Sequence, residues 1–262
     1  MGQINNSDKV PLLIDLDGVL RLGKKPADGL KNFLDFLISS KIPVCILSNS
    51  TLTTSSEIRK FFDGNSAPCP FPIITAAEAA YDYVAGRYKK VAVYSNESIK
   101  TLFVELLDDE NPEAVVIGHL GKNWTYEILN DIFLEVFNGA HLIAMHKNRY
   151  WRTPEEGYAI NAGAFVTAIE YAASTEAVLI GKPSPVFYNS ALNKIGFKEG
   201  TDFIMIGDDL EVDIKAAQNV GGKAVLIYTG KTSHPYPKEK NIIPDYEVMN
   251  LAEAIELLKN IG

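Results

Sequence analysis

At 262 residues, 47% hydrophobic and 22% charged, the chain has material for one large domain, or for a core carrying a smaller insert, and the composition of an ordinary globular protein. Its 25 basic and 33 acidic residues give a net charge of −8, which argues against a nucleic-acid footprint; an anionic substrate would have to be met by local positive charge or a metal. The segment Met1 to Lys9 is short and polar, no apolar run approaches membrane-spanning length, and Cys45 and Cys69 form no CxxC pair, so a reduced, cytoplasmic protein without membrane attachment is expected.

The run Val10 to Ile14 reads as a buried strand ending in Asp15-Leu16-Asp17-Gly18. If the chain stays extended, Asp15 and Asp17 project to the same side, and two acids on one face call for a cation or a retained proton. Pro26-Ala27-Asp28 opens a helix bearing Leu30, Phe33, Leu34, Leu37 and Ile38 at helical spacing. Lys41 to Leu47 is a second buried strand, closing on Ser48-Asn49-Ser50-Thr51. Strand, helix, strand implies a right-handed parallel crossover, which brings the two polar strand ends to one edge of the sheet. A helix from Thr54 to Phe62 and a short strand from Phe71 to Ile74 follow.

From Ala76 to Thr175 the alternation restarts: helix Ala76–Val84, strand Lys90–Tyr94, helix Ile99–Leu107, strand Ala114–Ile117, helix Trp124–Phe137, strand His141–Met145 and helix Ala162–Ala173. The stripe Ile128, Leu129, Ile132, Phe133 and Val136 reads as a core face. With its own elements and apolar faces, the segment is an inserted α/β domain, so the division is 1–75 core, 76–175 cap and 176–262 core. The core pattern resumes at Ala177-Val178-Leu179-Ile180 ahead of Gly181-Lys182-Pro183. It continues through a helix Phe187–Ile195, a strand Asp202–Ile206 closing on Gly207-Asp208-Asp209, a helix Leu210–Val220, a strand Ala224–Tyr228 and a helix Leu251–Leu258. The fold class is α/β: a doubly wound, Rossmann-like parallel-sheet core with a smaller α/β cap inserted.

Four strands thus end in polar residues, at Asp15 and Asp17, Ser48 and Asn49, Lys182, and Asp208, Asp209 and Asp213. In an open parallel sheet ligands bind beyond the carboxyl ends of the strands, where all four would meet. Carboxylates with no His or Cys beside them suit a hard cation, magnesium before zinc; with the ammonium of Lys182 and the hydroxyl of Ser48 they favour a tetrahedral phosphate guest.

Asp15-Leu-Asp17-Gly-Val, the Ser48 strand end, Gly181-Lys182-Pro183 and Gly207-Asp208-Asp209-Leu-Glu-Val-Asp213 resemble, in order, the four motifs of the haloacid dehalogenase (HAD) superfamily. The insert between the second and third motifs is similar to that of its type IIA capped phosphatases. The stretches Leu142 to Tyr150, Ala164 to Tyr171 and Tyr228-Thr229-Gly230-Lys231 resemble the group of haloacid dehalogenase-like hydrolase domain-containing protein 2 and phospholysine phosphohistidine inorganic pyrophosphate phosphatase.

The resemblance implies an Mg2+-dependent phosphatase acting on a small phosphorylated metabolite. Asp15 would be the nucleophile that forms an aspartyl-phosphate and Asp17 the general acid and base. Asp15, the Asp17 main-chain carbonyl and Asp208 would hold the metal. Ser48, Asn49 and Lys182 would bind phosphate, with Asp209 and Asp213 behind them. Some members of the nearest group carry serine in place of the second aspartate; Asp17 restores the pair, so ordinary turnover is expected.

His146, Lys147 and Arg149 are candidates for contacts with the leaving group, beside Tyr150 and Trp151, although the same cluster could simply pack and solvate the cap. His119, His141 and His234 have no partner at ligand spacing. A homodimer through the cap is possible on the resemblance. Two other functions remain open: a phosphoryl-binding, receiver-like module, and a phosphonate or haloacid hydrolase on the same scaffold.

Overall fold

The computed structural model describes residues 9–153, 157–236 and 241–261, so most of the Met1 to Lys9 segment lies outside the described residues. The chain divides into two compact units. The first comprises Met1–Ser48, Ser55–Ile74 and Phe187–Gly262, the second Asn49–Thr54 and Thr75–Val186.

In chain order the elements are β1 (Leu12–Asp15), β2 (Arg21–Leu22), β3 (Lys25–Pro26), α1 (Leu30–Ser40), β4 (Val44–Ser48), α2 (Ser55–Gly64), β5 (Ile73–Thr75), α3 (Ala76–Ala85), β6 (Val91–Tyr94), α4 (Glu97–Lys100), β7 (Ala114–Ile117), α5 (Tyr126–Phe137), β8 (His141–Ala144), β9 (Tyr150–Thr153), β10 (Gly157–Ile160), α6 (Ala162–Ala173), β11 (Val178–Leu179), α7 (Pro185–Lys194), β12 (Ile204–Gly207), α8 (Ala216–Asn219), β13 (Lys223–Ile227), β14 (Tyr246–Val248) and α9 (Leu251–Ile261).

The first unit is built on a six-stranded sheet of order β14-β13-β12-β1-β4-β5. From β1 the chain winds outward one way through β4 and β5, then returns to β12 and winds the other way, so the switch point lies between β1 and β12. Right-handed crossovers place α1 and α2 on one face and α8 on the other. Leu30, Phe33, Leu34 and Leu37 of α1 recur at helical spacing and are buried together with Ile14, Ile46, Ile206 and Phe62. Truncating a fully buried ring such as Phe33 to Ala costs about 3–5 kcal/mol in such a core. α1 stops where Lys41 takes a left-handed φ of 56° and donates its N–H to the Ile38 carbonyl.

The second unit has its own parallel sheet of order β11-β8-β7-β6 and an antiparallel β9–β10 hairpin. Ile132 and Val136 of α5 are buried with Val115, Ile117, Val166 and Ile169, so the apolar stripe of that helix is a core face as expected. Trp124 stacks on Phe165 at 4.5 Å.

Several expectations need correction. The strand at Ala177–Ile180 pairs with β8, at Val178↔Ile143 and Leu179↔Ala144, and so belongs to the sheet of the second unit, not to the core strands that follow it. Ile180 and Gly181 extend that ladder to Ala144 and Met145, and the register reflects an open edge on β8 that the sequence pattern does not reveal. The helix expected at Ile99–Leu107 is only Glu97–Lys100 and a single 3-10 turn, because Leu107 bridges to Val91 instead. Pro26 lies in β3 rather than opening α1, and the helix expected after Asp209 begins with a widened i→i+5 turn at 210–215. The β2–β3 and β9–β10 hairpins and β14 had no apolar run to announce them.

Candidate active site

The register builds the site. Asp15 aligns with Leu47 of β4, and Ile14 with Ile206 of β12, so Ser48 and Asp208 each fall one residue beyond the positions flanking Asp15. Oxygen atoms of Asp15, Asp208 and Asp213 lie within 4.8 Å of one another, and all three residues are buried, at 6%, 6% and 1% exposure. Two like charges at that separation repel by roughly 3 kcal/mol at an effective dielectric of about 20. A set of oxygen donors alone, without His or Cys, fits a hard divalent cation of the magnesium type, which would offset that repulsion.

Backbone contacts fix the three acids. Asp213 Oδ2 accepts from the amides of Asp208 at 3.2 Å and Asp209 at 3.1 Å. Asp208 Oδ2 accepts from the Lys231 amide. Gly18, with φ +93°, and Gly230 cradle that carboxylate: a Cβ on either would stand 2.1 or 2.0 Å from Asp208 Oδ2. Thr229 Oγ1 donates to the Gly18 carbonyl at 2.6 Å, tying the loop after β13 to the turn after β1.

The resemblance puts Asp213 behind the metal ligands; the structure brings it to the same oxygen cluster as Asp15 and Asp208. Asp209 caps the following helix, accepting from Glu211 and Val212 amides at 2.9 and 3.2 Å, and pairs with the Lys231 ammonium. Burial alone would raise its pKa, but Lys231 and the two amides hold the carboxyl below its ordinary value.

Asp17 does not share a buried face with Asp15. The strand ends at Asp15, a turn begins at Leu16, and the Asp17 side chain is 54% exposed. It accepts a bidentate pair of bonds from Arg21, Nε to Oδ1 at 2.8 Å and Nη2 to Oδ2 at 3.0 Å. Its carboxylate is therefore not part of the oxygen cluster among the described residues. Arg21 escaped the sequence reading because a two-residue strand carries no periodic signal. Gly230 and Lys231 belong to the Tyr228-Thr229-Gly230-Lys231 stretch, and their position just after β13 is the signal in the sequence for a place at the site.

Ser48 is fully buried at the end of β4. Asn49 and Lys182 fall in the second unit, where Asn49 Nδ2 donates to the Lys182 carbonyl at 3.1 Å. Lys182 follows β11 and is buried. Of the other candidates there, Lys147 is committed to Glu170 at 2.8 and 2.9 Å, and Arg149 is exposed on the β9–β10 side beside Tyr150 and Tyr158, whose rings meet edge to face. The side chain of Trp151 lies outside the described residues.

His146 is buried at 3% exposure, and its Nδ1 accepts from the Asn148 amide at 3.2 Å. Burial first, and His119 second, pull its pKa down to about 4, so it is neutral at physiological pH. Below its ordinary value of 6.5 the unfolded chain gains a proton that the folded one refuses until about 4. Acidification across that window should remove roughly 3 kcal/mol of stability. Thermal melts of wild type and His146→Gln between pH 4 and 7 check this: the wild type should lose stability more steeply, and parallel curves would refute the assignment.

A doubly wound sheet with three buried acids at its switch point defines an α/β protein arranged for anion chemistry around a cation. Residues 12–106 match the haloacid dehalogenase-like hydrolase family, and residues 179–254 the HAD-hydrolase-like family. The acid sugar phosphatase of Staphylococcus haemolyticus is 33% identical over 256 residues, covering 95% of this chain and 96% of its own. Haloacid dehalogenase-like hydrolase domain-containing protein 2 of Bos taurus is 32% identical over 225 residues, 84% of each chain. The solved 4-nitrophenylphosphatase of Thermotoga maritima superposes with a TM-score of 0.82 at 25% identity, covering 95% of this chain and 97% of that one. The chain belongs to the haloacid dehalogenase-like hydrolase family, in its type IIA capped branch.

Proposed function

We propose that the protein is a phosphoric monoester hydrolase that cleaves a small phosphorylated metabolite through an aspartyl-phosphate on Asp15. The observation that carries the reading is the buried cluster of Asp15, Asp208 and Asp213 at the ends of β1 and β12. Asp15, Asp208, Asp213 and the Asp17 main-chain carbonyl would hold Mg2+, which when bound supplies charge neutralisation for the acids and for the phosphoryl oxygens. Asp15 attacks phosphorus, its carboxylate oxygen forming the new P–O bond as the bond to the leaving oxygen breaks. Asp17 gives that oxygen a proton, then takes one from the water that attacks phosphorus and releases Asp15 with inorganic phosphate.

In the structure the Asp17 carboxylate rests on Arg21, so this role requires it to exchange the guanidinium for substrate. Ser48, Asn49 and Lys182 would grip the transferring group. For Asn49 and Lys182, which belong to the second unit, the support is the motif match. A sugar phosphate heads the substrate panel because an acid sugar phosphatase is among the relatives. The buried thiols of Cys45 and Cys69, which form no disulfide, support a cytoplasmic setting.

Hydrolysis of p-nitrophenyl phosphate that needs Mg2+ and stops with EDTA is the first expected result. Asp17→Asn tests the two-step route. With an activated leaving group, one equivalent of nitrophenol should be released while steady turnover falls about 10²–10⁴-fold and phosphorylated protein accumulates. A variant that turns over slowly without ever holding phosphate would overturn it.

A further inference from the structure

The reaction proposed above takes one cation's partner away. Arg21, in the hairpin that follows the turn after β1, holds Asp17 through two parallel bonds, Nε to Oδ1 at 2.8 Å and Nη2 to Oδ2 at 3.0 Å. Asp17 is also the carboxyl that must turn to the leaving oxygen. Each time it does, the guanidinium loses both acceptors.

The guanidinium is not free to follow. Its Cζ lies 5.6 Å from the centre of the Phe61 ring on α2, within cation–π range, and the Arg21 side chain is only 20% exposed. Main-chain bonds seat Arg21 against the turn after Asp15: the Gly18 amide donates to the Arg21 carbonyl at 2.8 Å, and the Arg21 amide donates to the Leu16 carbonyl at 2.9 Å. A guanidinium keeps its charge at any physiological pH, and a partly buried one without an acceptor is costly. Lys231, on the loop after β13, is never released in this way, because its partner Asp209 has no role in the proposed steps.

Shape and charge set what takes the place of Asp17. The fork presents two parallel N–H groups spaced for a planar carboxylate, the group it binds in the structure. A rotamer change carries a carboxylate of this length roughly 3–4 Å, so the position that Asp17 gives up lies within a few ångströms of the leaving oxygen it then meets. A carboxylate about three carbons from the ester oxygen spans that gap. We infer that Arg21 is a specificity-determining residue that receives a carboxylate of the leaving group in place of Asp17, so that the substrates of this site are phosphomonoesters of hydroxy acids. Resting on the phosphatase reading, this narrows it: among sugar phosphates, the sugar-acid phosphates carry such a group. An acidic leaving group, by occupying the fork, itself frees Asp17 for proton transfer; a neutral one leaves Asp17 paired.

Kinetics with 3-phosphoglycerate and glycerol 3-phosphate, which differ in a carboxylate against a hydroxymethyl group, test the assignment in the full chain with Mg2+. Wild type should favour the acid in kcat/KM by about 10–100-fold, the range that a charge-assisted pair of bonds supplies. The net charge of −8 opposes the additional negative charge, so diffuse attraction does not produce this preference. Arg21→Gln should bring the ratio of the two kcat/KM values close to one, and Arg21→Lys, which keeps the charge but not the fork, should leave it in between. Any effect on the reaction common to both substrates cancels in that ratio. Calorimetric titration of both compounds into Asp15→Asn, and into Asp15→Asn combined with Arg21→Gln, reads the same preference without turnover, so it decides the role of Arg21 even where no phosphoester is hydrolysed and the phosphatase reading fails. Equal losses on both compounds in Arg21→Gln, as a purely structural pair with Asp17 predicts, or a wild type that does not distinguish them, would overturn the proposal.

Discussion

Asp15→Asn is expected to lower kcat on p-nitrophenyl phosphate by 10³-fold or more, on the order seen when an enzyme loses its nucleophile. The amide is nearly isosteric, and Asp15 sits at the end of a strand hydrogen-bonded on both sides, so the fold survives the change. It should in fact gain stability when Mg2+ is absent. Three carboxylates crowd within 4.8 Å, and removing one charge relieves two of the three pairwise repulsions. Differential scanning calorimetry in EDTA should then place the variant a few degrees above wild type. Saturating Mg2+ should raise the wild-type midpoint more than that of the variant, since a ligand stabilises only the folded state it binds. A variant that hydrolyses substrate at the wild-type rate sinks the nucleophile assignment; one that melts lower in EDTA sinks the repulsive cluster.

Gly230→Ala should be nearly as damaging to activity, for a reason that has nothing to do with functional groups. Its Cβ would stand 2.0 Å from Asp208 Oδ2 and 2.6 Å from the Gly18 Cα. Backbone on one side and a buried acid on the other leave the carboxylate as the part that moves, and with it goes the bond from the Lys231 amide. We expect kcat/KM to fall on the order of 10²-fold and the Mg2+ concentration for half-maximal activity to rise. Stability should drop by about 1–3 kcal/mol, as for other overpacked sites. Gly64→Ala, where a Cβ meets nothing within 4 Å, is the control and should leave activity unchanged. Full activity in Gly230→Ala at low Mg2+ would mean that Asp208 does not need its observed position.

The contrast between Asp15 and Gly230 shows what was legible in the sequence. Apolar runs bounded by Gly and Pro marked β1, β4, β12 and β13, because strands buried on both faces must be apolar throughout. Helical spacing marked α1, α5 and α6 by the same logic of burial. The acids stood out because polar groups that close such strands are costly unless they are used. What escaped was whatever depends on distant partners: the short hairpins, whose residues alternate nothing, and the edge on which β11 pairs.

The layered α/β architecture, the repeated strand-helix alternation and the strand ends at which Asp15, Ser48 and Asp208 stand are all written in the order of residue types, since burial constrains residue type locally. Folding in three dimensions is what brings Asp213 into the oxygen cluster, pairs Asp17 with Arg21 instead, assigns β11 and Lys182 to the second unit, and has Gly18 and Gly230 make room for Asp208. Those outcomes turn on approaches of a few ångströms between segments as many as two hundred residues apart, and no local pattern of residue types encodes a distance across the fold.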